Sequence, residues 1–207
     1  MFDVAQLPPE AFRRWDETPD AWFYAAPRFV THIDAGAIAA VTQLYREFFP
    51  PGGDILDVCS SWVSHLPEEV AYRQVVGVGM NAAELAANPR LTRWFVHDLN
   101  ADPRLPLDDA AMDAAGLCVS VDYLIHPVAV LRDIGRVLRP GGPLVVTFSN
   151  RCFPTKAIAI WLTLDDHQRC QLVEGFFRAA GVWRDIRIFD RSPGGGDPLY
   201  AVVGRRT

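Results

Sequence analysis

Lysine is nearly missing from this chain: among 207 residues, Lys156 is the only one. With a formal net charge of −5 and its arginines scattered, the sequence has no cation cluster to grip phosphates, which argues against a nucleic-acid surface. Long apolar runs are missing too. No stretch approaches the roughly eighteen apolar residues of a membrane span, and the opening "MFDVAQLPPEAFRRWDE" lacks the basic head and apolar run of a signal peptide. A soluble, cytoplasmic protein is expected, with no membrane partner. Cys59, Cys118, Cys152 and Cys170 stand far apart, so neither a metal site nor a disulfide framework is suggested. Repeats and low-complexity tracts are also lacking.

What is present is half hydrophobic and 22% charged, and at this length one α/β domain can bury a full core. Residues 1–33 form an aromatic, proline-rich cap or arm that contains Trp15, Trp22, Phe23, Tyr24 and Phe29. It reads either as a cover for one face, with homodimer pairing through it, or as a lid over a substrate pocket. The domain itself is expected over 34–207. It begins with an amphipathic helix carrying Ile38, Val41, Leu44, Tyr45 and Phe48 at three- and four-residue spacing, stopped by Pro50-Pro51-Gly52-Gly53.

Short apolar segments at 54–59, 74–79, 93–98, 114–120 and 142–149 then read as buried parallel strands. Crossover segments fall between them at 67–73 and 82–88, and a clear helix covers 128–138. Two more helices, at 156–164 and 166–180, precede closing strands at 183–190 and 199–206. The order predicts a doubly wound, mostly parallel seven-stranded Rossmann-like sheet, with helices on both faces and an antiparallel edge strand.

Ligands of such sheets sit outside the C-terminal strand ends. Two readings compete there. In the first, Gly77-x-Gly79-x-x-Ala82 followed by Asp98 has the form of a dinucleotide fingerprint, which implies an NAD-dependent oxidoreductase. The second uses every strand end. The segments "DILDVC", "VVGVGMN", "VHDLNADPRLPLDDAAMDAA" and "VLRDIGRVLRPGGPLVVTFS" resemble the class I S-adenosylmethionine-dependent methyltransferases, especially the type 11 group. That resemblance implies the cofactor S-adenosylmethionine and methyl transfer to a small-molecule acceptor. A domain of this kind that serves only as a binding subunit is the further alternative.

The resemblance places the cofactor along Asp57, Cys59, Ser60, Ser61, Gly79, Met80, Asn81, Asp98, Leu99, Asn100 and Ser120. Two departures accompany it: Cys59, Ser61 and Val63 stand where glycines are usual, and Gly79 stands where an acid normally grips the ribose. Asn81 is the expected substitute for that acid, and Met80 is expected against the adenine. A base is optional for displacement at an activated methyl carbon, and His65 and His126 are its candidates, with Tyr123 shaping the reacting pocket. Trp62, Asn150 and Arg151 are expected on the acceptor side, with Arg151 suited to a carboxylate or phosphate.

Overall fold

A computed structural model of the protein describes residues 3–207; the first two residues of the expected arm lie outside that range. Strands β1 (Asp54–Val58), β2 (Gln74–Gly79), β3 (Arg93–Val96), β4 (Ala114–Cys118) and β5 (Pro143–Phe148) run parallel, and β6 (Trp183–Asp190) and β7 (Tyr200–Arg206) complete the sheet. The order is β3-β2-β1-β4-β5-β7-β6, with β7 antiparallel to both its neighbours. The topological switch point falls between β1 and β4, and a crevice opens there at the C-terminal ends.

Strand alternation sorts the core into two layers. Ile55, Val75, Ala114 and Val145 face α2 (Ala35–Phe48), which buries Val41, Leu44 and Tyr45 against them. Leu56, Val76, Leu117 and Val146 face the other way, onto α4 (Pro127–Val137) and α6 (Asp166–Ala180). The chain starts and stops these helices as its residues dictate. Asp34 caps α2 by accepting from the Ala37 amide, α6 opens on a capping box between Asp165 and Gln168, and Gly181 ends it at φ +73°.

Three boundaries differ from expectation. β3 stops at Val96, although the His97 amide still reaches the Gly79 carbonyl of β2. The final helix before α6 is the shorter α5 (Ala159–Thr163). The β1–β2 crossover over 59–73 contains no helix at all, and a long irregular connection inside a compact domain usually carries function. α3 (Ala82–Ala87) is likewise short, ended before Asn88-Pro89. Among the described residues, no helix is long and apolar enough to cross a membrane.

The segment before α2 crosses the strand ends and is tied down by charge. Lys156 is fully buried, and its Nζ donates to the carbonyls of Asp16 (3.2 Å) and Thr18 (2.7 Å). It also lies 3.2 Å from Asp16 Oδ2 and 3.3 Å from Asp20 Oδ1. Arg14 reaches both oxygens of Asp20 at 2.8 Å, and Asp20 opens the short helix α1 (Asp20–Phe23). Burial raises the Asp20 pKa, but Arg14, Asn100 and Lys156 outweigh it and hold the carboxyl below its ordinary value. The one lysine is therefore the peg of the arm. Replacing Lys156 with Met strands Asp20 without one of its cations, which should cost about 3 kcal/mol in urea unfolding. Trypsin cleavage at Arg13 and Arg14 should accelerate in that variant.

Candidate functional site

At the switch point lies a cavity of ≈ 380 Å³, walled by the ends of β1 to β4, the loop after β5 and the arm. That volume is at the small end of the range of small-ligand pockets. Its floor is the turn leaving β1. There Cys59 adopts φ +57°, the left-handed region that a glycine would occupy without strain. His65 (φ +50°) and Val119 (φ +41°) are also left-handed, and all three line the cavity. For β-branched Val119 this is a marked outlier; among the described residues Ala110 and Asp185, both away from the cavity, are the other non-glycine residues at positive φ.

Carboxylates hold this turn in shape. Asp57 Oδ2 accepts 2.6 Å bonds from the hydroxyls of both Ser60 and Ser64. Glu84 Oε2 accepts from the Ser61 hydroxyl at 2.6 Å, and its Oε1 from the Arg28 amide at 2.7 Å. Asn88 closes the set by donating to the Ser61 carbonyl and the Ser64 hydroxyl, both at 2.8 Å. The Ser60 amide meanwhile donates to the Val78 carbonyl at 2.8 Å, which presses the turn onto β2. A Cβ at Gly79 would overlap the Ser60 carbonyl oxygen. No acid can stand there while this turn persists.

Gly77, in mid-strand, only makes room for Leu91. The amides of Ala83 and Glu84 at the start of α3 are already satisfied by the Asn81 side chain. These two facts remove the dinucleotide reading, since a pyrophosphate needs free helix N-terminal amides and a backbone it can approach.

The remaining expected residues divide by what their side chains do. Asp98 and Leu99 line the cavity; Asp98 Oδ1 accepts from the amides of Asn100 (2.9 Å) and Ala101 (3.3 Å), and its Oδ2 takes no hydrogen bond among the described residues. Met80 and Ser120 are also in the wall, with the Ser120 hydroxyl on the Cys118 carbonyl. Asn81 is in the wall but fully engaged. Beyond its cap, its amide nitrogen donates to the carbonyls of Tyr24 (2.9 Å) and Ala25 (3.2 Å), so it fastens the arm instead of offering a hand to a ribose. Asn100 is spent in the same way on Asp20, the Tyr123 carbonyl and the Ile125 amide.

His65 faces the cavity, and burial, with a smaller push from nearby His32, holds its pKa below the usual histidine value. It is a neutral imidazole at pH 7. His126, by contrast, is exposed at the start of α4 and outside the cavity wall. Tyr123 is in the wall; its oxygen accepts from the Phe153 amide at 2.9 Å, and burial raises its pKa, so the phenol keeps its proton. Trp62 stands outside the cavity and braces the arm, with its indole N–H on the Val30 carbonyl at 3.0 Å and its ring near Phe29. Asn150 and Arg151 border the mouth, both exposed, with Arg151 3.7 Å from Asp197.

Sequence reasoning missed Glu84, Ser64, Asn88, Arg28 and Asp20, which shape or roof the cavity. Ser64 lay inside the unusual "SSWVSH" segment; the others carried no local signal. Among the described residues, no group of His, Cys, Asp and Glu is arranged to hold a metal ion.

Residues 57–146 match the family model described as "Methyltransferase domain". Over that stretch, under half of the chain, the sequence is similar to methyltransferase domains. No curated protein matches the sequence. Solved structures share the fold at low identity. The [4+2]-cyclase SpnF is 18% identical, with a TM-score of 0.64 over 90% of this chain and 91% of its own. Phosphoethanolamine N-methyltransferase 2 of Haemonchus contortus, solved with S-adenosyl-L-methionine, is 14% identical, with a TM-score of 0.59 over 81% and 52%. Geranyl diphosphate methyltransferase, solved in complex with GPP and sinefungin, is 16% identical, with a TM-score of 0.57 over 82% and 78%.

Two predictions come from the strained and buried groups. Cys59→Gly should stabilise the chain by about 1 kcal/mol in urea melts, because glycine takes the left-handed turn without strain. Asp122, behind the cavity, has its Oδ2 buried without a partner, and burial pushes its pKa from 3.8 to about 7. It holds its proton when folded and loses it when unfolded, so its contribution to stability falls as pH rises from 3.8 to about 7. Asp122→Asn should therefore gain stability relative to the parent across that window and plateau above it, as read by denaturation at pH 5.5, 7 and 8.5.

Proposed function

We propose that the protein transfers a methyl group from S-adenosylmethionine to a small organic acceptor held beneath the arm. The observation that carries this reading is the convergence of four strand ends, Asp57–Ser61, Gly79–Asn81, Asp98–Asn100 and Cys118–Ser120, on one cavity. The residues suit the cofactor at its adenine end. The open Asp98 Oδ2 would accept from the adenine amino group, and the Leu99 backbone amide would meet a ring nitrogen. Met80 would lie along the ring, and the slim Cys59, Ser60 and Ser61 would line the amino-acid end. The ribose is where the grip is reduced: Gly79 has no carboxylate, and Glu84 and Asn81 are committed elsewhere. Loss of a charged hydrogen bond there lowers affinity by about 1.5–3 kcal/mol.

The cofactor supplies a methyl carbon already activated by its sulfonium. The chain's own part is to hold the acceptor in line, exclude water and, where the acceptor is protonated, remove a proton. His65, neutral and in the wall, is the base of choice; Tyr123 orients, since its phenol is too basic to ionise. Two structural neighbours bear the names of small-molecule methyltransferases, which supports this acceptor class. A cytoplasmic setting suits its unpaired cysteines. The arm turns Trp15 and Trp22 outward, 89% and 72% exposed, which supports pairing with a second copy.

The blocked Gly79 position favours one other reading, a binding subunit that no longer holds cofactor. Calorimetry with S-adenosylhomocysteine separates them. The methyltransferase reading expects binding that weakens about tenfold in Asp98→Ala; a parent protein that takes no adenosyl ligand would leave the binding-subunit reading standing.

A further inference from the structure

Arg28 roofs the cavity inside an aromatic box. Its Cζ lies 4.4 Å from the Phe23 ring centroid, 5.7 Å from Tyr24 and 5.6 Å from Phe153. The residue is fixed from two sides, by its amide on Glu84 Oε1 at 2.7 Å and by Nη2 on the Phe23 carbonyl at 2.8 Å. Nη1 is buried and has no hydrogen-bond partner. A buried guanidinium nitrogen left open costs stability and calls for an acceptor. The fold provides none, and Arg28 is part of the cavity wall.

We propose that Arg28 is the anion-binding group of this cavity and that its partner is a carboxylate of the bound ligand, an inference that rests on the methyltransferase reading. A carboxylate suits the site better than a phosphate for two reasons. Nη2 is committed to the Phe23 carbonyl, and the buried nitrogen left without a partner is Nη1, which serves a single accepting oxygen. Asp20, Asp57, Glu84 and Asp98 line the same cavity, and a dianion would meet their charge. A turn of the guanidinium would bring the buried Nη1 to the ligand. Arg151, the arginine that the sequence suggested for an anion, is 64% exposed and already near Asp197.

The carboxylate has two sources, the amino-acid end of the cofactor or an acid group on the acceptor, and one experiment separates them. Calorimetry would compare the parent, Arg28→Gln and Arg28→Lys with three probes: S-adenosylhomocysteine, methylthioadenosine, which lacks the amino-acid end, and phenylacetate. Equal methylthioadenosine binding in all three proteins shows that the variants are folded and the adenosyl site intact. If Arg28 takes the cofactor carboxylate, Arg28→Gln weakens S-adenosylhomocysteine about 10- to 100-fold, with Arg28→Lys between. If it takes the acceptor's, S-adenosylhomocysteine is unaffected, and phenylacetate binding to the loaded parent is lost in Arg28→Gln. The proposal is overturned if neither probe responds to the substitution. A parent that binds no adenosyl compound sinks the methyltransferase reading instead; phenylacetate on the bare protein then decides for Arg28, by loss of binding in Arg28→Gln or against it by no change or no binding.

Discussion

Two buried carboxylates, Asp57 and Glu84, hold the turn after β1, and most of what is particular to this molecule depends on them. A glycine-rich turn can wrap a ligand with backbone alone because its residues enter the left-handed region freely. Here the turn has side chains, and three serine hydroxyls fasten it: Ser60 and Ser64 on Asp57, Ser61 on Glu84. The same Glu84 takes the Arg28 amide, and Asn81 takes the carbonyls of Tyr24 and Ala25. Turn, short helix and arm are thereby one hydrogen-bonded unit, and the cavity has a roof as well as a floor.

Burial sets the acid–base character of that cavity. Desolvation pushes Asp57 up to about 6 against the opposing bonds from Ser60 and Ser64, and pushes the Cys59 and Cys118 thiols up to about 12. Tyr24 and Tyr123 are raised as well. Thiols and phenols around the site therefore stay neutral near pH 7. The imidazoles of His32 and His65 shift the opposite way, toward the neutral and basic form. A cavity with neutral thiols and phenols and free imidazoles suits proton removal from an acceptor more than proton donation to it.

The fold alone does not name the reaction. One structure that shares it at a TM-score of 0.64 carries the name of a [4+2]-cyclase, while others carry the names of methyltransferases. What distinguishes this chain is local: a β2 end closed to an acid by the Ser60 carbonyl, left-handed backbone at Cys59, His65 and Val119, and an arm pegged by a single buried lysine.

By itself the sequence determined the strand and helix order, because apolar alternation, caps and Pro-Gly stops are read over a few neighbouring residues and report burial directly. It also marked which strand ends would meet, since a parallel sheet delivers them all to one edge. Tertiary structure decided the side-chain partners. Asn81 and Asn100 looked available for a ligand but are engaged by Tyr24, Ala25 and Asp20, more than fifty residues away in the chain. Trp62 and His126 left the cavity, and Glu84, Asn88 and Arg28 entered its walls or supports without any local mark. A hydrogen bond is settled by where two distant segments come to rest, and local periodicity carries no record of that placement.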